Sequence, residues 1–436
     1  MKKIVASVGL VAVGASGLQA AVLPALTTES GKPWNVSATL RGFYDDNINT
    51  YPNNQPMVPG YERSSIGFEF SPGLEINLPM EQTTISFGYV YSMKYYENKH
   101  IGSTGNVDNT QNIHAGLNHA FSERYSLRVR DSFVIGQEPD MLRAGNTYNS
   151  FQYVSGNNLR NYGAIDFSAQ LTPEFGMDLG YANTMYLYAD DNLPSSSGYS
   201  TAGLLNDLDH LVHLDGRYQL KPQTIGIVGV QFRETDYTKD QPISNEPDPI
   251  TGQTITSSDR NARSYYGYLG LDHNFRPDLT GSVRAGGRYT DYFNNPASQN
   301  GASPYAMASL KYTYLPESYL QFGGSYDYAP SSLFAGANNA GDLTLSTQAG
   351  TVFASLNHRI RPKLFGGIMG QYQNSTYYGG SLDGKADNFY LVGLNLRYQF
   401  TPNFSAEAGY NYDKLNTDAQ RPYTRNRVYV GVTGSY

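Results

Sequence analysis

The last dozen residues, RNRVYVGVTGSY, most tightly constrain what this chain can fold into. Val428, Val430, Val432, Gly434 and Tyr436 share one parity, while Arg427, Tyr429, Gly431, Thr433 and Ser435 share the other. A period of two belongs to a strand with two unlike faces and gives a helix nothing. The same alternation opens the chain after its first thirty residues. Val36, Ala38, Leu40, Gly42 and Tyr44 oppose Ser37, Thr39, Arg41, Phe43 and Asp45, and then Ile66, Phe68, Phe70, Leu74, Ile76 and Leu78 oppose Glu69, Ser71, Glu75 and Asn77. Apolar side chains thus sit at alternate positions with charges between them. A sheet of such strands in hydrocarbon has to close on itself, because every backbone group needs a partner there.

The N-terminus carries a matching address. Lys2 and Lys3 precede an apolar run over 4–18, with small residues at Ala20 and Ala21. The run is too short for a spanning helix and is broken by Ser7, Gly9, Gly14, Ser16 and Gly17. It is the pattern of a cleaved signal peptide over 1–20, leaving 21–436 as one domain. The chain has no cysteine, so disulfides, thiolate metal sites and thiol nucleophiles are absent and export carries no oxidative step. The mean hydropathy of -0.47 is low, yet a barrel predicts this, since half of each strand faces a polar lumen. The 38 Tyr and single Trp suit a membrane interface, where ring and hydroxyl are both satisfied. With a net charge of -7 and no basic block, nothing recommends nucleic acid.

Short junctions recur along the chain: LPMEQ, LNHAFSER, AQLTPE, YQLKPQ, HNFRPD, TYLPES, HRIRPK and YQFTPN. Each closes one alternating segment and opens the next with turn-forming residues. Between them lie nine longer polar stretches, at 47–60, 97–106, 137–158, 190–207, 240–260, 294–303, 331–345, 375–385 and 416–424. Eight turns and nine loops predict an all-β, antiparallel up-and-down transmembrane barrel of about 18 strands. Its short turns lie in the periplasm and its long loops outside the cell. Solenoids and propellers share the period but not the signal peptide and the alternation of short and long links. His119, Tyr218, His273, Tyr312, His358 and Tyr398, on the outward parity near the junctions, read as an interfacial girdle. A metal role for the three histidines would need distant strands to converge, so no metal and no cofactor is expected.

The inward parity is charged. Arg217, Arg233, Arg284, Arg288 and Lys311 come from neighbouring strands and form a candidate basic arc, interrupted by Asp215 and Asp272; Glu69 and Glu75 are further pore-lining candidates. The bland alternative is that these are paired charges that hold register. The third long loop brings Glu138, Asp140 and Arg143 as a candidate constriction, if it folds inward. Asp209 beside His210 resembles an acid–imidazole pair, but adjacent strand residues face opposite ways. The chain has no GxSxG, HExxH or phosphate-loop pattern, so the reading is not an enzyme. The acidic loop segments ADDN and NEPDPITGQ could hold calcium weakly, although solvated loop tips are the plainer reading.

In order along the chain, QEPDMLRAGNTY after the fifth strand, the LTPE and FRPD junctions, GYNYDKLN and the final RNRVYVGVTGSY resemble the β-barrel porins of the second type, a group of Gram-negative outer-membrane proteins. The chain departs from that pattern in ending on Tyr436 where Phe is commoner, and in carrying Gly434 at an outward site. The resemblance implies a location and an architecture but not a substrate. The reading is a passive diffusion channel for small hydrophilic solutes in the outer membrane. Lipid and the barrel-insertion machinery are its partners, Val428, Val430, Val432 and Tyr436 its assembly signal, and a homo-oligomer its possible state. No plug of roughly a hundred residues precedes Trp34, which disfavours a TonB-dependent transporter, and there is no passenger domain. The rival is a surface protein whose loops bind a partner while a closed barrel anchors them.

Overall fold

The computed structural model describes residues 32–53, 55–56, 62–99, 105–136, 157–188, 201–238, 240–247, 252, 254–294, 300–330, 344–379, 382–418 and 422–436. The expected signal segment lies outside them. The first nine strands are β1 (Trp34–Asp45), β2 (Ser65–Pro79), β3 (Thr83–Tyr96), β4 (Val107–Ala120), β5 (Tyr125–Gly136), β6 (Asn158–Gln170), β7 (Phe175–Tyr188), β8 (Asp207–Lys221) and β9 (Thr224–Tyr237). A small hairpin follows, β10 (Pro242–Pro247) with β11 (Thr254–Thr256). The wall resumes with β12 (Ala262–Arg276), β13 (Leu279–Asp291), β14 (Gly301–Leu315), β15 (Ser318–Pro330), β16 (Ser346–Arg361), β17 (Leu364–Tyr378), β18 (Ala386–Thr401), β19 (Phe404–Thr417) and β20 (Tyr423–Ser435).

Eighteen of these strands form one antiparallel sheet in which each pairs with its neighbours in sequence, β9 with β12 across the small hairpin, and β20 returns to β1. The strand number and the alternation of links match the sequence reading. Turns of two to four residues gather at one end and connections of five to 24 residues at the other. Closure is in register: Leu40 lies opposite Val432 and Gly42 opposite Val430. Val36 and Tyr436 exchange backbone hydrogen bonds of 3.0 and 2.8 Å. Tyr436 also packs its ring 5.8 Å from that of Trp34 and under the Lys32 ammonium at 3.6 Å. Among the described residues the barrel sheet therefore has no edge strand left to pair with another chain.

The outward face is apolar and uncovered, Leu269 being 65% exposed and Val430 60%. Two polar belts bound it. At the turn end the expected girdle is present, with His119 bonded to Thr83 and His273 to Thr224, each at 2.8 Å, and His358 to Tyr314 at 2.9 Å. At the loop end Tyr91, Tyr181, Tyr372 and Tyr410 send their hydroxyls to Asn109, His210, Asn388 and Asn426 at 2.6–2.8 Å. In every case the partner lies two residues nearer the loops than the residue opposite the tyrosine, on the same face of the sheet. Rings in hydrocarbon with hydroxyls turned towards water are the geometry of a membrane interface. The ten steps from Asn388 to Tyr398, at about 3.3 Å each and a tilt near 40°, separate the belts by about 25 Å, the height of an outer-membrane apolar band.

Candidate functional site

Strand parity aims the charged residues into the lumen, and register decides which of them meet. Arg217 lies 2.8 Å from Asp178, Arg233 grips Asp209 with two hydrogen bonds of 2.5 and 3.2 Å, and Arg284 holds Asp272 at 2.8 and 3.2 Å. Arg288 lies 3.4 Å from Asp327 and also donates to Ser264 at 2.7 Å and to the Tyr328 carbonyl at 2.5 Å. Among the described residues no carboxylate lies within ion-pair reach of Lys311, the fifth member of the expected arc; its ammonium lies 4.8 Å from the Tyr319 ring. Asp215 accepts the Tyr268 hydroxyl at 2.7 Å, and Glu75 meets His114 at 3.2 Å. The four arginines are thus gathered along one wall, but each is matched by a carboxylate. The wall is a lattice of compensated pairs, in which breaking one partner away would strand the other.

The lumen is not equally open along its length. On β1 the inward residues Asn35, Ser37 and Thr39 stay partly exposed near the turns, whereas Asp45 near the loops is buried. Thr351, Gln373, Phe389 and Leu391 face inward towards the loop end and are fully buried. Lys99 pairs with Asp108 there, Arg425 clasps Asp45 through three contacts of 2.6–3.1 Å, and the Tyr377 hydroxyl donates to Asp387 at 2.5 Å. A barrel wall alone leaves such residues facing water, so the lumen is packed at this level. The candidate constriction residues Glu138, Asp140 and Arg143 lie outside the described residues.

Below the packed level, where β20 meets β1, the wall from β17 round to β3 encloses a cavity of about 310 Å³. Its ionic lining is again matched: Arg41 donates to Glu407 at 2.5 Å and to Glu69 at 3.3 Å, and Arg427 to Asp413 at 2.7 Å. Arg41 can cross β20 to reach β19 because residue 431 is glycine; a Cβ there would lie 2.6 Å from the Arg41 side chain. Phe43 and Tyr96 meet edge to face at 5.1 Å, and Tyr429 lies flat over Gly409, where a Cβ would fall within 2.2 Å of its ring. Asn395 tucks its carbonyl oxygen against Gly367, where it finds no hydrogen-bond partner among the described residues. Asn411 lies beside Gly393 in the same manner.

Three further placements follow from parity. Asp209 faces inward to Arg233 and Thr235, while His210 faces outward to Tyr181, so the adjacent acid and imidazole are separated by the sheet. Among the described residues no three carboxylate or imidazole groups are placed to share a metal ion. The third was missed in the sequence: Asp131 shares the outward parity of Leu127, Val129, Phe133 and Ile135 and faces lipid. Its carboxylate accepts from the Asn161 amide at 2.9 Å, and its register neighbours are Ala115 and Gly163. Counting parity through LRVRDSFVI would have found it.

Residues 344–436, which span β16 to β20, match the model of the family described as "Putative beta-barrel porin 2". A search of curated proteins finds no match. Among solved structures, a BenF-like porin from Pseudomonas fluorescens Pf-5 is similar at 12% identity and a TM-score of 0.46, over 92% of this chain and 99% of that one. OccAB4 of Acinetobacter baumannii is similar at 13% identity and a TM-score of 0.44, over 93% and 99%. The ferric enterobactin receptor of Pseudomonas aeruginosa is similar at 9% identity and a TM-score of 0.44, over 92% and 80%.

Proposed function

We propose that this chain is an outer-membrane channel for the passive passage of small hydrophilic solutes. The observation that carries the reading is the pairing of two surfaces on one closed sheet. Outside is an apolar band of about 25 Å between aromatic belts, and inside is a polar, charge-bearing wall enclosing a cavity. Side chains do not fill the interior of an 18-stranded barrel, so its turn half holds water. The match of the last five strands to a porin family agrees with this.

The matched ion pairs shape what kind of channel it is. Cations already held by carboxylates add little net field to the lumen, so selectivity between simple anions and cations is weak. Packing towards the loops narrows the path there, and conductance is correspondingly low for a barrel of this width. In the same reading, the outward Val428, Val430 and Val432 with Tyr436 form the strand that the insertion machinery recognises. Planar-bilayer recording of the purified, folded protein tests the proposal. Stepwise currents with an anion-to-cation permeability ratio near unity are expected. A folded barrel that gives no steps in any salt would overturn it and favour a closed anchor for the surface loops.

A further inference from the structure

We infer that the cavity beside the closure seam is a resting site for a neutral polyhydroxylated solute of one ring, a monosaccharide or a compound of that size and chemistry. The inference rests on the channel reading and names a solute class for it. Its volume, about 310 Å³, sits at the small end of the range of roughly 300–1,000 Å³ in which proteins seat small molecules. That volume seats one sugar ring.

The lining argues for hydroxyl groups and against ions. An ionic solute entering this wall must shed water and find an unmatched counter-charge. The charged groups are already spent on one another: Arg41 on Glu69 and Glu407, Arg425 on Asp45, and Arg427 on Asp413, while Lys94 stands directly opposite Glu69. A neutral polyol needs no counter-charge. It needs donors and acceptors spaced around a ring, and flat surface for its C–H faces. Asn395 and Asn411 supply the first. The Asn395 carbonyl is turned into the wall, so what it offers the cavity is its N–H pair. Phe43, Tyr96 and Tyr429 supply the second, Tyr429 lying on Gly409 with the Arg41 guanidinium 5.3 Å from its ring centre.

The glycines make this a built surface. Gly367, Gly393 and Gly409 lie beneath Asn395, Asn411 and Tyr429 on adjacent strands, so amides and ring lie along the wall while the lumen stays clear. A solute can therefore rest on the floor without blocking the barrel permanently, which is what a facilitated path through a channel needs.

The test joins two measurements on the full-length protein. In planar bilayers, glucose or xylose should interrupt the ionic current in a saturable way, whereas gluconate and glucosamine of similar size should not. In detergent, calorimetry should detect the same sugar without any current being needed. The double variant Asn395→Leu/Asn411→Leu should weaken sugar binding at least tenfold by both readouts. Gly409→Val, which drives the Tyr429 ring off the wall, should do the same. Should current flow but gluconate bind better than glucose, or the variants bind sugar as tightly as the parent chain, the inference fails and the channel stands. Should sugar bind in detergent with no current in bilayers, the channel reading fails and the site stands.

Discussion

A single side chain, Asp131, sits least comfortably with its surroundings. Four steps along β5 from Leu127, which is level with His119 in the girdle, it stands about 10 Å inside the apolar band. The hydrogen bond from Asn161 does not replace the water it forgoes, and the small neighbours Ala115 and Gly163 leave its flanks open. A carboxylate on a lipid-facing strand costs stability, though less than the 2–4 kcal/mol of an arginine or lysine at the midplane. Asp131→Leu should therefore raise the unfolding free energy in lipid vesicles by up to about 2 kcal/mol, measured as a shift in urea midpoint at constant slope. Asp131→Arg should lower it. A Leu variant no more stable than the parent chain would show that the site is already satisfied, for instance by a protein neighbour in the membrane.

At the scale of elements, the loop-end hairpin shows how a connection acquires structure. Ile243 of β10 is fully buried against Gly203 in the short helix α1 (Thr201–Leu205), and Arg260 lies 3.8 Å over the Tyr237 ring. Asp240, just before the hairpin, accepts the Ser258 hydroxyl just after it at 2.9 Å, and hydrogen bonds from Thr256 and Ser258 hold its carboxyl below the usual carboxylate range. A carboxylate with a lowered folded-state pKa stabilises the fold fully above its unfolded value, about 3.9, and loses that contribution as pH falls through the folded value. The hairpin amides should hold a constant hydrogen-exchange protection from neutral pH down to about 4 and show a modest weakening below it, since the carboxylate is exposed and screened by solvent. Asp240→Asn should remove that pH dependence; protection that falls equally in both proteins would assign the change elsewhere.

The same scale shows what a sequence can disclose. Parity assigned faces correctly because a strand's period is fixed by its covalent geometry, and Pro-bearing junctions counted the hairpins because turns need those residues. Register was another matter. That Arg41 reaches Glu407 depends on a glycine at 431 on the strand between them, and on β1 meeting β20 with Leu40 beside Val432. No local rule fixes that pairing. The basic arc was legible as residues, with pairing as the alternative reading, but which carboxylate meets which arginine was not, since Asp178 meets Arg217 only once β7 and β8 are aligned. The cavity arises from seven strands drawn from both ends of the chain, and no window of sequence contains it.

For the whole molecule, the grouping of turns at one end and loops at the other sets an orientation. An epitope inserted in the connection over 240–260 should be reached by antibody on intact cells, while one at the Arg361–Pro362 turn should be reached only after the outer membrane is breached. The reverse pattern would invert the barrel.

Closure of β1 on β20 has a consequence in time. The hydroxyls of Thr39 and Thr433 touch at 2.9 Å across 394 residues of chain. Until β20 has been made, β1 has one open edge, and an open edge with an apolar face invites association with any other strand nearby. Loop-closure entropy must also be met before these distant contacts repay it, which makes the joining step slow. In a chain of this design the first strand therefore keeps a free edge for as long as the last is unpaired, and that interval is when wrong partners can take the place of β20.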